Sequence, residues 1–483
     1  MPSLNRLVVR CGGCLLAAAT VACGSIAERR GATVLFASGA DLQSINPLLT
    51  QHPLARQVQR YVLFTTLARY DSALVPQPYL ARGWEWSADR RTLTFRLHAG
   101  VRWHDGQPTT AHDAAWTLER ARDPATGYPR LADLAGLSTV RADDDTTLTL
   151  LFTAPPAAFP DVLTDLAILP RHLLDTVPAG HLREAAFNEA PVGNGPFRFV
   201  THEPNRRWVF AADPGFPSEL GGPPRLDRFI VVVVDEPTTK LAALTSGELD
   251  FAGIQPAHAA FVARDSALGV MSYPLLFTYG LVFNTRRPPF DQAAVRRAAA
   301  LAIDRQEIVD GYLYGFGTVA DGPVPPGLPG RIPAEAPVHR PDSARALLAR
   351  RRVRFELLTV GSGEAALEQM IQAQLARAGF DVVIRQLELS AFLDRTYGAR
   401  HDFDAAVLGI PGDPGLGYLT PLLALSGAAP APNAAMAQRR FADSVPVTFL
   451  YHARGLQGMN RRIRDVRFDV RGELATVSRW WVE

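Results

Sequence analysis

The residues best suited to chemistry are dispersed along this chain. His98, His104 and His112 are near neighbours in sequence, but they fall on a strand, a loop and a helix start. That is unlike the two ligands on one helix face that an HExxH site needs. Solvated or hydrogen-bonded histidines are the reading their spacing supports. His172 and His452 would suit a metal complex, although ordinary surface positions account for them too. Asp143-Asp144-Asp145 offers successive carboxylates, yet the later ligands of a calcium loop are missing, so a hairpin turn is expected. Asp402 and Asp404 have the right type for acid–base work, which demands a geometry that spacing alone does not supply. There is no GxSxG elbow, phosphate-cradling glycine loop or dinucleotide fingerprint. The expectation is binding without catalysis, and neither a cofactor nor a metal.

Composition points the same way. The 483 residues are 47% hydrophobic and 20% charged, enough for two or three structural units at about 150 residues each. Long polar or acidic disorder is not expected of such a composition. A formal net charge of +2 argues against a broad basic surface for nucleic acid. Arg6 and Arg10 precede an apolar run from Cys11 to Ala22. It is shorter than the roughly 20 residues that span a bilayer, which predicts an export signal, with a short membrane anchor as the alternative. Cys11, Cys14 and Cys23 all lie in this leader, so the remainder has no thiol pair for a disulfide. Ala19-Thr20-Val21-Ala22-Cys23-Gly24 is similar to a bacterial lipobox, with Cys23 as the lipid attachment point. Thr20 stands where leucine is usual. Cleavage near Ala22 or Ala27, giving an unanchored periplasmic protein, is the alternative.

The elements that must position any site are legible in part. Ala32 to Ala37 reads as a short buried strand, and Leu93, Phe95 and Leu97 alternate as a half-buried strand does. Thr110 and Asp113 have the spacing of a capping box at a helix start. A turn at Asp143–Asp145 leads to a strand from Thr147 to Phe152. Phe229 to Val234 is a β-branched run expected to be buried on both faces. Through Pro237 it enters a helix, then a strand near Leu249 to Ala252, a βαβ unit. Asp291 is expected to cap a helix bearing Val295, Ala298, Ala299 and Ala302, and Asp304 with Glu307 to start another. Gly322 to Pro341 is a proline- and glycine-rich connector. Val353 to Leu358, the helix Glu364 to Ala378 and the strand Asp381 to Leu387 make a second βαβ unit. Two such units predict two α/β lobes, with a ligand in the crevice at the strands' carboxyl ends.

Specific blocks then carry a resemblance. Ser44-Ile45-Asn46-Pro47 is followed by Leu67-Ala68-Arg69-Tyr70-Asp71 and by Pro78 to Trp86. Next comes Leu93 to Pro108, which contains Gly100-Val101-Arg102-Trp103-His104-Asp105-Gly106. Pro191-Val192-Gly193-Asn194-Gly195-Pro196-Phe197, Ser246 to Asp250, Asn284, Pro289-Phe290-Asp291, Val295 to Ala298 and Ala302-Ile303-Asp304-Arg305 follow. Together they resemble the family 5 bacterial extracellular solute-binding proteins, the peptide/nickel-type substrate-binding components of ABC importers, from about Ala32 to the carboxyl end.

The resemblance implies an α/β, periplasmic-binding-protein type II-like fold, with two main lobes, an inserted smaller subdomain and mixed sheets flanked by helices. After a signal with lipobox over 1–23, it divides the chain into lobe I (31–74, 161–275 and a return over 456–483), an inserted subdomain II (75–160) and lobe III (276–455). It implies capture of a peptide or similar small solute by hinge closure, delivery to a permease and ATPase, and a monomer held at a bacterial membrane by lipid. Asp413, in Gly412-Asp413-Pro414, falls where the family places the partner of a peptide amino group, although Asp-Pro also forms turns. Ser38 and Leu42 follow the first strand, where relatives touch ligand backbone. Phe277 and Tyr279 lie on a strand crossing between lobes, facing either cleft or core. Arg395 or Arg400 is the candidate for a ligand carboxylate. The stretch from Leu425 to Pro446 is short and alanine-rich beside the longer helices of relatives, which implies a trimmed third lobe. Rival readings are a nickel chelate, haem or oligosaccharide ligand on the same scaffold, a secreted hydrolase, or a lipoprotein that has lost transport.

Overall fold

The computed structural model describes residues 31–50, 52–335, 337–361 and 363–483. The leader, with Cys23, lies outside the described residues. The first strand, Thr33–Ser38, is parallel to Arg228–Val233 on one side and to Phe251–Gly253 on the other. The helix Pro237–Thr245 joins the latter two, so the first expected βαβ unit exists with the amino-terminal strand threaded between its strands. The outward Ile230 and Val232 are only half-buried, whereas Phe229 and Val231 are fully buried. The expectation of burial on both faces is therefore corrected: neighbouring helices cover that outer face only in part.

Two long antiparallel strands, Leu268–Phe283 and Val447–Asn460, run through the middle of an eleven-stranded mixed sheet. On one side they meet Phe251–Gly253 and the amino-terminal strands, and on the other Ala405–Pro411, Val353–Val360 and Phe380–Leu387. Their ladder pairs Leu268 to Pro274 with Asn460 to Arg454, and resumes at Thr278 opposite His452. The pairing shifts between those two stretches. Val353–Val360, the helix Ala366–Ala378 and Phe380–Leu387 form the second βαβ unit, with parallel pairing throughout.

A separate four-stranded antiparallel sheet runs Ala81–Trp86, Thr92–Leu97, Thr147–Phe152 and Leu137–Asp144. Asp144 and Thr146 make its hairpin turn, with Asp144 Oδ1 accepting the Thr146 N–H at 2.8 Å. This sheet packs on the helix Ala111–Arg122, where Asp113 Oδ2 accepts the Thr110 N–H at 2.8 Å, the reciprocal half of the capping box. Asp304 caps Arg305–Gly311 as expected, its side chain accepting the Glu307 N–H at 3.0 Å. Asp291 does not cap its helix. Gln292 stands at that position before Ala293–Ala302. The buried Arg296 guanidinium binds the carbonyls of Phe290 and Asp291, which holds both residues outside the helix.

Packing divides into distinct cores. The largest joins the first strand, the four-stranded sheet and the carboxyl-terminal Leu474, Val477 and Trp480. Two more cover the opposite faces of the sheet between Leu281 and Tyr451. Between Leu425 and Pro446 the chain still forms a helix, Ala434–Ser444, whose Phe441 packs edge-on against Phe449 at 5.4 Å. No helix among the described residues is long and apolar enough to cross a membrane.

Candidate functional site

A cavity of about 960 Å³ lies between the amino-terminal core, which contributes Tyr61 and Val162, and the core beneath Leu276 and Tyr418. It belongs to the size range of small-ligand sites. The chain builds it from far-separated segments. The helix Pro53–Val58 and the following turn supply Arg56, Gln57, Arg60 and Tyr61. The short helical turns Leu131–Leu134 and Val162–Asp165 and the residues just before them bring Arg130, Asp133, Asp161 and Asp165, and the end of the strand Ala405–Pro411 leads into Gly412, Asp413 and Pro414.

Asp413 is half-buried at this wall. Its Oδ1 accepts the Gly417 N–H and its Oδ2 the Tyr418 N–H, each at 3.1 Å. Asp413 thus closes its own turn and also lines the cavity. A carboxylate has about four acceptor positions, so capacity remains for a ligand donor. No arginine, lysine or histidine among the described residues pairs with Asp413, whereas Asp133, Asp161 and Asp165, the other lining carboxylates, are all paired. Burial, and then the charge of Asp413, raises the Tyr418 phenol above its ordinary value. The Tyr418 hydroxyl donates to the Pro323 carbonyl at 2.9 Å, fixing this wall to the connector.

Arg56, Arg60 and Arg130 converge on Asp165 at 2.6, 2.5 and 2.7 Å. Burial alone would push the Asp165 carboxyl up, but Arg60, Arg56 and Arg130 outweigh it and hold the group below the ordinary carboxylate range. Asp161 behaves oppositely, with burial raising it despite the Arg130 partner at 2.8 Å. Sequence reading missed this cluster, because Arg56, Arg60 and Arg130 lie 109, 105 and 35 positions from Asp165 and only the folded chain brings them together.

The other anticipated site residues do not line this cavity. Ser38 is buried and its hydroxyl donates to the Ala40 carbonyl. Leu42 is fully enclosed in the amino-terminal core. Phe277 and Tyr279 are half-buried, their rings 5.5 Å apart, with Tyr279 stacked on Tyr451 at 4.8 Å. Arg395 pairs with Glu356 at 2.8 Å on the helix Leu389–Tyr397, and Arg400 is exposed beyond it. The three spaced histidines are separate: His104 Nε2 meets the Gly195 carbonyl at 3.0 Å, and His112 lies 3.6 Å from Asp145. Among the described residues no group of three or more His, Cys, Asp or Glu side chains is placed to hold a metal ion.

The motif blocks serve as structural ties. Asn194 Oδ1 accepts the Thr65 N–H at 2.8 Å, the Gly195 N–H donates to the Leu63 carbonyl at 2.8 Å, and the His104 N–H to the Gly193 carbonyl at 2.8 Å. Asp250, fully buried, accepts the Leu35 N–H and a two-point contact from Arg462, all at 2.9 Å.

A mixed sheet shared by two core regions through paired crossing strands is the fold of type II periplasmic binding proteins. The oligopeptide-binding protein AppA of Bacillus subtilis, solved in complex with a nonapeptide, superposes with a TM-score of 0.75 at 22% identity, covering 94% of this chain and 99% of that one. The chain belongs to the bacterial extracellular solute-binding proteins, family 5, whose middle-region description matches residues 75–429. A Brucella ovis protein that bears the name of an ABC transporter peptide-binding protein is 29% identical over 355 residues, 69% of this chain. The match spans 65% of that relative's length. The dipeptide-binding protein of Escherichia coli K12 is 26% identical over 437 residues, 83% of this chain and 79% of that one.

Proposed function

We propose that this chain is the extracytoplasmic substrate-binding component of an ABC importer. It captures a peptide or a similar small solute without catalysis and delivers it to a membrane permease with its ATPase. Residues 31–74, 161–275 and 456–483 act as one lobe, 276–455 as the other, and 75–160 as an inserted subdomain. The break in the crossing ladder between Pro274 and Thr278 is the hinge, because backbone freed from pairing can absorb the dihedral change of closure. The mature protein is a monomer anchored through lipid on Cys23, which mass spectrometry of its amino terminus checks.

The observation that supports this reading is Asp413, the cavity-wall carboxylate without an ion pair among the described residues. Closing a cleft over a charged amino group requires a buried partner for it, since an uncompensated buried charge costs about 3–5 kcal/mol. The test uses mixed-sequence libraries of di- to pentapeptides, free or N-acetylated, measured by native mass spectrometry and calorimetry. Free peptides are expected to bind, and Asp413→Ala to weaken them strongly while N-acetylated peptides change little. Equal loss for both forms rejects Asp413 as the amine partner.

A further inference from the structure

The four arginines that line the cavity are not equally committed. Arg130 uses all three guanidinium nitrogens, Nε on Asp133 at 2.6 Å, Nη1 on Asp165 at 2.7 Å and Nη2 on Asp161 at 2.8 Å. Arg471 binds Asp469 through Nε and Nη2, at 2.9 and 2.6 Å, and reaches the Tyr70 carbonyl at 3.3 Å. Arg56 and Arg60, by contrast, each make one side-chain hydrogen bond among the described residues, through Nη2 and Nη1 respectively, and both fall on the single carboxylate of Asp165. Their Nε atoms are buried and have no hydrogen-bond partner among the described residues.

The three arginines and the three carboxylates Asp133, Asp161 and Asp165 balance in formal charge, but Arg56 and Arg60 keep guanidinium donors unused, and a buried unpaired donor is costly. An acceptor entering from the cavity, where both side chains line the wall, can take up those donors. The fork of a guanidinium matches a carboxylate in geometry as well as charge. The negative wall at Asp413 and this positive wall belong to the same cavity.

We propose that Arg56 and Arg60 form the carboxylate subsite of the cleft. The ligand is then a zwitterionic solute whose anionic end rests on the helix Pro53–Val58 and the turn after it, away from Arg395 and Arg400. This rests on the cavity being the ligand site.

The experiment compares the peptide libraries as free acids and as carboxyl-terminal amides, on the wild-type protein and on Arg56→Gln and Arg60→Gln. Amidation should lower wild-type affinity about tenfold or more, the usual size of a lost charge-assisted contact. Each variant should lower free-acid affinity similarly while changing amide affinity less than about twofold, since the coupling is lost with either partner. Melting of the unliganded variants checks folding, and Arg60→Lys, which keeps the charge, should restore part of the free-acid preference. If amidation leaves wild-type affinity unchanged, or if both variants weaken acids and amides equally, the subsite is overturned while the peptide-binding reading stands. If no peptide binds in any form, both fall together.

Discussion

Asp165 is the anionic hub of three arginines, and its replacement by asparagine tests how much that hub holds. The substitution keeps the shape and removes the charge. Arg130 retains Asp161 and Asp133, but Arg56 and Arg60 lose their shared anion. With the Asp165 side chain only 7% exposed, removing one member of such a buried network costs about 3–5 kcal/mol. Unfolding entropy of about 2.1 cal/mol/K per residue, over a body of roughly 450 residues, converts this to a fall in Tm of about 3–5 °C. The pH dependence fixes the cause. The folded carboxyl lies below its unfolded value, so its stabilisation is complete above the unfolded pKa of about 3.9 and fades as pH falls through the folded value. Calorimetric scans of both proteins should therefore show a full gap at pH 7 that narrows below pH 4. A gap that stays constant down to pH 2, or no gap at pH 7, would refute the electrostatic account.

Further outcomes follow from single residues. His452 is buried at the resumption of the crossing ladder, with Nδ1 2.9 Å from the Thr278 hydroxyl. Burial lowers its pKa to about 4, against the opposing pull of Asp321. Stability should be greatest above pH 6.5 and decline as pH falls from 6.5 toward 4, by roughly 3 kcal/mol. His452→Gln should remove that slope in denaturant titrations, and an unchanged slope would contradict the assignment. A Cβ on Gly195 would lie 2.6 Å from the Leu63 carbonyl carbon and 2.7 Å from the Phe64 nitrogen, both backbone atoms that cannot swing aside. Gly195→Ala should cost about 3 kcal/mol or more. Gly100→Ala, where the space is open but φ is +87°, should cost only about 1 kcal/mol, and equal losses in urea titrations would reject the clash.

How much of this was legible in the sequence depends on how locally each feature is determined. The capping box at Thr110 and Asp113 and the βαβ unit from Val353 to Leu387 were readable because turn chemistry and hydrophobic period act over a few residues. The helix start at Ala293 was misplaced by a residue because a buried arginine, not a local cap, decides it. Ile230 and Val232 were overestimated because composition reports what a strand tolerates, not how far neighbouring helices extend. The blocks that resemble the family proved to be mainly structural, as Asn194 with Thr65 and Asp250 with Arg462 illustrate. Family likeness therefore pointed to the scaffold and to Asp413, which lines the cavity, and was silent on the arginines beside it. Arg56 and Arg130 are unremarkable in a chain rich in arginine until folding sets both against Asp165.

The route of the chain has a consequence for its biogenesis. Trp480 stacks on Phe251 at 4.9 Å and meets Phe229 edge-on at 6.2 Å, and the Arg462 side chain reaches the Thr33 carbonyl 429 positions upstream. The amino-terminal core is therefore left with a gap in its interior until Trp480, 251 positions beyond Phe229 and 229 beyond Phe251, has been made. A ribosome-bound chain cannot settle early into this fold. It must wait with apolar surface uncovered, which makes it dependent on whatever shields nascent chains in the interval.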